Sequence, residues 1–204
     1  MSFKQSVAVP HNVEIERFYS KAVIDNGDST VSLFPSNPSS NKVDTNYSQN
    51  PFPESKYHVI LGISLDPLMK VIRQTADIDP AYIINNLNDG TLVLSSNQGR
   101  TADIVNPIKD YLNFNNISIA TGPTGADTYQ TVVTLGSTGV RKPDNLFYLG
   151  QQESFTLELL FNSGVWPSTA NWAAAEQGRF GITAEMYVAK MTEAELDQYR
   201  EMLK

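Results

Sequence analysis

One segment, SFTLELLFN at residues 154–162, limits what this chain can fold into more than any other stretch. In an extended backbone, successive side chains point to opposite faces. The large apolar residues of the segment all fall on one face: Phe155, Leu157, Leu159 and Phe161. A strand with one dry face must lie against a second layer of structure. The sequence therefore predicts a layered β-fold.

Seven further segments have strand-like alternation or β-rich composition, and no long helical pattern separates them. They lie at residues 13–24, 30–34, 57–65, 91–94, 114–120, 129–135 and 180–188. An Asn-Gly pair within 25–28 favours a hairpin between the first two. Eight antiparallel strands predict an all-β sandwich, and the jelly roll is the usual eight-stranded form. An immunoglobulin-type sandwich is the alternative, although about 100 residues suffice for it.

The length of 204 residues predicts a single jelly-roll domain spanning 1–204. Residues 1–12 are a candidate N-terminal arm, and residues 191–204 are predicted to form a C-terminal helix. That helix has a capping box, Thr192 with Glu195, and an apolar pair at Met191 and Leu196 that suits a hydrophobic staple. Short inserted helices are expected between 67 and 88, where Asp66 and Asp79 each precede a proline as caps, and at 168–178. The polar stretch 35–53 is expected to be a surface excursion.

Charge and composition argue against several classes of partner. The net charge is -7, and no basic run is longer than Arg141-Lys142, so direct nucleic-acid binding is not expected. The sequence has no window of 18 apolar residues, so membrane insertion is not expected. The first residues also lack the apolar core of a signal peptide. The absence of cysteine removes disulfides and thiolate ligands.

No combination of residues indicates a catalytic, cofactor or metal site. The two histidines, His11 and His58, have no metal-ligand spacing, and His58 reads as a surface or satisfied core residue. The loop TGPTGADT at 121–128 lacks the Lys-Ser/Thr ending of a phosphate-binding loop. A glycosidase pair remains open among the carboxylates Asp66, Asp77, Asp79, Asp89 and Asp103, but nothing selects two of them. We therefore expect a protein that is not an enzyme and binds no cofactor.

Six apolar and aromatic residues are candidates for an interface with another subunit. They are Trp166, Trp172, Leu196, Tyr199, Met202 and Leu203. Trp residues anchor interfaces because they bury a large area, and the last four form the apolar side of the predicted helix. The alternative for the helix is that it packs on its own sandwich. The alternative for the tryptophans is a platform for sugar stacking or a cover for the end of the sandwich.

Two segments resemble parts of a known family. The stretch LGSTGVRKPDNLFYLGQQESFTLELLFNSG at 135–164 resembles the late-strand region of jelly-roll coat proteins from tailless icosahedral bacteriophages. The stretch NPFPESKYHVILGISLDP at 50–67 is similar to the proline-led strand that opens their second sheet. The resemblance covers about a third of the chain and contains no diagnostic motif. Main coat proteins of that group have two fused jelly rolls, and a single roll departs from this pattern. Vertex, minor and decorating proteins also use single rolls, so the resemblance does not select among a major, minor, vertex or decorating role.

The resemblance implies a virion structural protein that self-assembles, as a trimer or pentamer, and contacts other virion proteins. It implies location in the virion after synthesis in the host cytoplasm. The alternative function is a carbohydrate- or receptor-binding β-sandwich, such as a phage spike or head-decoration protein. Trp166, Trp172, Tyr47 and Tyr57 with the amide-rich loops are its candidate contacts.

Overall fold

A computed structural model describes residues 9–10, 13–24, 28–38, 43–52, 55–68, 87, 89–99, 101–112, 116–121, 129–134, 140–161 and 180–204. These residues are mostly β-structure. The strands are β1 (Glu14–Ile24), β2 (Thr30–Ser32), β3 (Tyr57–Leu68), β4 (Thr91–Ser96), β5 (Ile104–Pro107), β6 (Asn116–Thr121), β7 (Tyr129–Thr134), β8 (Tyr148–Leu149), β9 (Phe155–Leu160) and β10 (Phe180–Met191). A 3-10 turn covers Ile108–Asp110, and helix α1 covers Glu193–Met202.

Eight of these strands form two antiparallel four-stranded sheets. Sheet A has the order β1-β10-β3-β8, and sheet B has the order β2-β9-β4-β5. One cluster of buried apolar side chains draws on both sheets, with Ile63 and Met186 from sheet A and Leu92 and Leu159 from sheet B. The described part of the chain is therefore an all-β sandwich with its main core between the sheets, as the sequence predicted.

The eight sandwich strands are not the eight segments that the sequence suggested. The segments predicted at 114–120 and 129–135 correspond to β6 and β7, which pair with each other in a separate two-stranded sheet. The sequence missed β5 and β8, which have only four and two residues. Strands of two to four residues are at or below the shortest length over which alternation gives a clear signal.

The predicted hairpin of the first two strands is wrong. Strand β1 pairs with β10 in sheet A, whereas β2 pairs with β9 in sheet B. The chain thus crosses from one sheet to the other after Ile24. Ile24 and Val31 are both in the core between the sheets, so the crossing lets both strands bury their apolar side in the same place.

Strand β3 contains a bulge that divides its apolar residues between two faces. Tyr187 stands opposite Gly62, but the next residue of β10, Val188, stands opposite Ile60, so Leu61 is the extra residue. Ile63 therefore faces the core between the sheets, while Leu61 faces a second apolar cluster on the outer side of sheet A. An extra residue reverses the alternation because side chains have a period of two.

The same strand corrects the prediction for Asp66. Strand β3 continues through Pro67, and Asp66 stands opposite Thr183, so this carboxylate does not cap a helix. On the side of β3 that faces away from β10, the backbone pairing among the described residues extends no further than Leu65. A proline is tolerated there because its missing N–H is not needed on an unpaired side. Asp79 and nearly all of the stretch predicted to hold short helices lie outside the described residues.

The polar stretch predicted as a surface excursion contributes to the core. Within it, Tyr47 and Phe52 are 2% and 3% exposed. Asn46 accepts a hydrogen bond from the Tyr19 N–H at 2.6 Å and donates to the Arg17 carbonyl at 2.7 Å, which attaches the stretch to the edge of β1. Residues 43–52, hereafter the edge segment, therefore close one side of the sandwich. Two aromatic residues and side-chain amides achieve this in a stretch with few apolar residues.

Helix α1 begins as predicted. The Thr192 side chain accepts from the Glu195 N–H, and the Glu195 carboxylate accepts from the Thr192 N–H, which completes the capping box. Leu196 packs with Leu61 and Met191 in the second apolar cluster, on the outer side of sheet A. The helix therefore covers part of sheet A, which gives that sheet two buried faces.

Candidate functional site

The structure separates the six predicted interface residues into three groups. Leu196 and Tyr199 are 1% and 8% exposed, because they face the cluster beneath α1. Their side chains are thus used within the fold. Met202 and Leu203, at the end of the helix, are 49% and 55% exposed and remain candidates for an interface. Trp166 and Trp172 lie outside the described residues.

The candidate arm at residues 1–12 is described only at two positions. Val9 packs against the same cluster that α1 covers, and Pro10 is buried. The described part of this segment therefore contacts its own sandwich. The other residues of the proposed arm lie outside the described part of the chain.

A small cavity of about 150 Å³ opens between the edge segment and sheet A. Its polar groups come from three places in the chain: Glu16 in β1, Asn46 and Ser48 in the edge segment, and His58 in β3. Three aromatic residues complete its lining: Phe18, Tyr47 and Phe52. Burial raises the pKa of the Tyr47 phenol to about 12, so this hydroxyl stays protonated in any ordinary buffer.

A row of charged and titratable side chains crosses the inner face of sheet A beside this cavity. The Lys190 ammonium lies 2.6 Å from Glu16 and 3.9 Å from Glu14, and only 8% of its side chain is exposed. On the other side of β10, Lys190 stands opposite His58 in the strand pairing. His58 is 1% exposed, so the core alternative for this residue is the observed one. We call Glu16, Lys190 and His58 the charged row.

The aromatic rings beside the cavity are used in packing. Phe18 and Phe52 stack on each other with ring centroids 4.6 Å apart, and Phe52 also lies 4.8 Å from the imidazole of His58. Tyr47 donates its hydroxyl hydrogen to the Pro35 carbonyl at 2.9 Å. A sugar ring needs an open aromatic face for stacking, and these rings present none. Of the two tyrosines proposed as glycan contacts, Tyr47 is buried and Tyr57 packs edge-on against Tyr148.

The candidate carboxylates are spread over the fold. Asp66 lies in β3, and burial together with the nearby charge of Glu185 raises the pKa of its carboxyl. Asp89 and Asp103 are exposed and precede β4 and β5 respectively. Asp77 and Asp79 lie outside the described residues. No observed contact brings two of the described candidates together.

The sequence analysis missed the buried polar residues that organise this end of the molecule. Glu153 is 2% exposed and accepts from the Gly150 and Gln98 N–H groups and from the Ser96 hydroxyl, which ties the turn before β9 to the turn after β4. A signal did exist for Lys190, since it continues the inward series Ile182, Ala184, Met186 and Val188 in β10. An inward lysine requires a carboxylate partner.

Comparisons with known proteins add no relationship. No family model matches the sequence, and no curated protein matches it. Within the described ranges, no group of three or more His, Asp or Glu side chains is arranged to hold a metal ion. The one α-helix described from end to end, α1, is ten residues long, and no described helix could cross a membrane.

Proposed function

We propose that this chain is a virion structural protein, a jelly-roll subunit that assembles with copies of itself and with other virion proteins. The observation that carries the proposal is the nesting of the strand pairs. Strand β1 pairs with β10, β2 with β9, β3 with β8, and β4 with β5. Among the eight sandwich strands, which exclude β6 and β7, the first pairs with the last, the second with the second-to-last, and so on inward. This is the pattern of one long antiparallel hairpin.

Rolling such a hairpin into two layers creates two further contacts. It brings β10 beside β3 and β9 beside β4, and both pairings are present. The resulting sheet orders are those expected of two interlocked Greek keys, which supports the jelly-roll form in this proposal. An immunoglobulin-type sandwich pairs its strands differently, so the nesting favours the jelly roll over that alternative.

Two further features support an assembly role. Strands β6 and β7 form a two-stranded unit, inserted between β5 and β8, that belongs to neither sheet. A lone two-stranded hairpin is marginally stable in water, so it benefits from contact with another surface. The end of α1 exposes Met202 and Leu203 beside the covered cluster. A sandwich with a separate two-stranded unit and an exposed apolar helix end offers surfaces for contacts between subunits.

Sedimentation velocity on the purified chain tests the proposal. We expect a closed oligomer, a trimer or a pentamer, whose population rises with protein concentration. Mass spectrometry of purified particles from the source virus is the second test, and the chain should be present at a fixed stoichiometry. A monomer at every concentration, together with absence from particles, contradicts the proposal.

A charge variant at the end of α1 tests the predicted contact. We expect Leu203→Glu to weaken assembly because it places a charge on an apolar contact. Lys204→Glu is the matched control, because it changes the charge at the adjacent exposed position without removing apolar area. Equal effects of the two variants, or no effect of either, would exclude Leu203 from the interface while leaving the assembly test above to decide the function.

A further inference from the structure

The charged row lies beside the edge segment, which has no regular secondary structure. Its members come from three neighbouring strands of sheet A, and Phe52 of the edge segment packs against the imidazole of His58. The amide of Asn46 attaches this segment to β1, and the amide of Asn50 attaches it to the start of β9. Asn50 donates to the Phe155 carbonyl at 2.8 Å and accepts from the Phe155 N–H at 3.2 Å. Opening of the edge segment would therefore expose His58 without breaking any pairing within the two sheets.

His58 is the member of the row whose residue type ordinarily changes charge within the physiological pH range. Histidine is the side chain that ordinarily gains a proton between pH 8 and 5. Directly opposite residues on an antiparallel pair have Cβ atoms about 5 Å apart, so a proton on His58 adds a second positive charge close to the Lys190 ammonium. Both side chains are more than nine-tenths buried. Water would screen the two charges once the segment opened.

Among the residues that the structure describes, other charged and titratable groups near the row contact known partners or face elsewhere. On β1, Glu16 and Glu14 contact Lys190. In the edge segment, the Tyr47 phenol remains neutral. Beyond β8, which pairs with His58, the buried Glu153 accepts three hydrogen bonds from Gly150, Gln98 and Ser96. Lys56 lies towards α1, where its charge acts on Glu195.

We propose that the charged row is an acid-sensitive switch for the edge segment. The neutral imidazole of His58 packs against Phe52 in the closed segment. The open form binds a proton at His58 more readily than the closed form does, because the open ring is in water and its charge is screened from Lys190. Opening is therefore favoured as the pH falls, and the sandwich itself stays folded. The inference depends only on this end of the sandwich and holds whether or not the chain is a virion protein.

Amide hydrogen exchange measured by NMR tests the switch. The reporters are the N–H groups of Tyr19 and Lys21, which bond to Asn46 and to the Asp44 carbonyl. After correction for intrinsic exchange, we expect their protection to fall about tenfold from pH 8 to pH 5.5, the change expected for one histidine with a solution pKa near 6.5. The Ile63 N–H, bonded to the Arg141 carbonyl at 2.9 Å, should keep its protection.

Two histidine variants separate this switch from a general acid effect. His58→Gln should remove the pH dependence at Tyr19 and Lys21, whereas His11→Gln, which changes the other histidine of the chain, should leave it unchanged. A fall of the same size in His58→Gln, no fall in the unchanged protein, or an equal fall at Ile63 overturns the proposal.

A second measurement decides the matter if His58→Gln does not fold. The imidazole signals of His58 in the unchanged protein must show proton uptake over the same pH range as the loss of protection. A ring that is charged at pH 8, or that stays neutral while the segment opens, overturns the proposal. Glu16→Gln should increase opening at pH 8 more than Glu14→Gln, because Glu16 is the nearer carboxylate to Lys190.

Discussion

The two sheets of the sandwich bury their residues in different ways. In sheet B, β9 alternates strictly, with Phe155, Leu157 and Leu159 buried and the residues between them partly exposed. In sheet A, the end of β10 is buried on both faces, since Val188 faces the main core and Ala189 faces the cluster beneath α1. Sheet B is thus a layer with one covered face. Sheet A is the middle layer wherever α1 lies over it.

This difference determines how each sheet can be recognised in the sequence. A strand with one covered face has alternating apolar and polar side chains. The buried residues of the segment at 154–162 could therefore be predicted correctly from its sequence. Two covered faces give a nearly continuous apolar run, such as Tyr57 to Leu65, in which alternation does not show which residue faces which core. The bulge at Leu61 then reverses the faces within one strand.

The largest expected effect comes from opening a cavity in the core shared by both sheets. Leu159→Ala removes a fully buried side chain from β9 and should lower the free energy of unfolding by about 3 kcal/mol. Leu160→Ala changes the same residue type at the next position, on the partly exposed face, and should cost less than about 1 kcal/mol. Urea denaturation measures both. Equal losses would mean that sheet B is covered on both faces.

The next effect tests the outer cluster of sheet A. Leu196→Ala should lower the free energy of unfolding by about 2 kcal/mol, because it removes the residue of α1 that is most buried against β3 and β10. The exposed Met202 provides the matched control, and Met202→Ala should change stability by less than about 0.5 kcal/mol. Hydrogen exchange should show faster exchange in α1 than in sheet B. A uniform loss of protection in both sheets would contradict the separation of the two clusters.

The third comparison, with effects no larger than that of Leu196→Ala, concerns the two asparagines that attach the edge segment, one to each sheet. Asn50 is 6% exposed and bonds to Phe34 and to both backbone groups of Phe155, so Asn50→Ala should cost about 2 kcal/mol. Asn46 makes its bonds to β1 at an exposed position, so Asn46→Ala should cost about 1 kcal/mol. Thermal unfolding ranks the two variants. The reverse ranking would show that the attachment to sheet A is the stronger one.

The smallest effect is a loss of stability at alkaline pH, and it comes from the buried phenol of Tyr47. Its pKa is about 12 in the folded chain and about 10 in the unfolded chain, so the folded state holds the proton more tightly. The resulting stabilisation is complete below pH 10 and disappears as the pH rises to 12, with about 1 kcal/mol lost by pH 11. The free energy of unfolding of the unchanged protein should therefore fall more steeply with pH than that of Tyr47→Phe. Parallel slopes would contradict the burial of this phenol.

Sequence reasoning found most of the strands but misjudged their partners. Strand β9, the first turn of α1 and the extent of β10 were close to the observed bounds, because alternation and capping are local properties. The partner of β1 was not predictable, because β10 lies more than 150 residues later and only packing selects it. The candidate site was less predictable still. Glu16, Asn46 and His58 are distant in sequence and come together only through the sheet register and the edge segment.

The sequence by itself determined that this chain is mainly β-structure, that its strands have one apolar face, and that a capped helix lies at its C-terminal end. These features depend on residues within one strand or one helical turn. Tertiary structure decided which sheet each strand joined, which face of β3 met which core, and that a polar segment closes one edge. Those outcomes depend on burial and hydrogen bonding between distant segments. The free energy of such contacts exists only once both partners are in place, so no single segment encodes it.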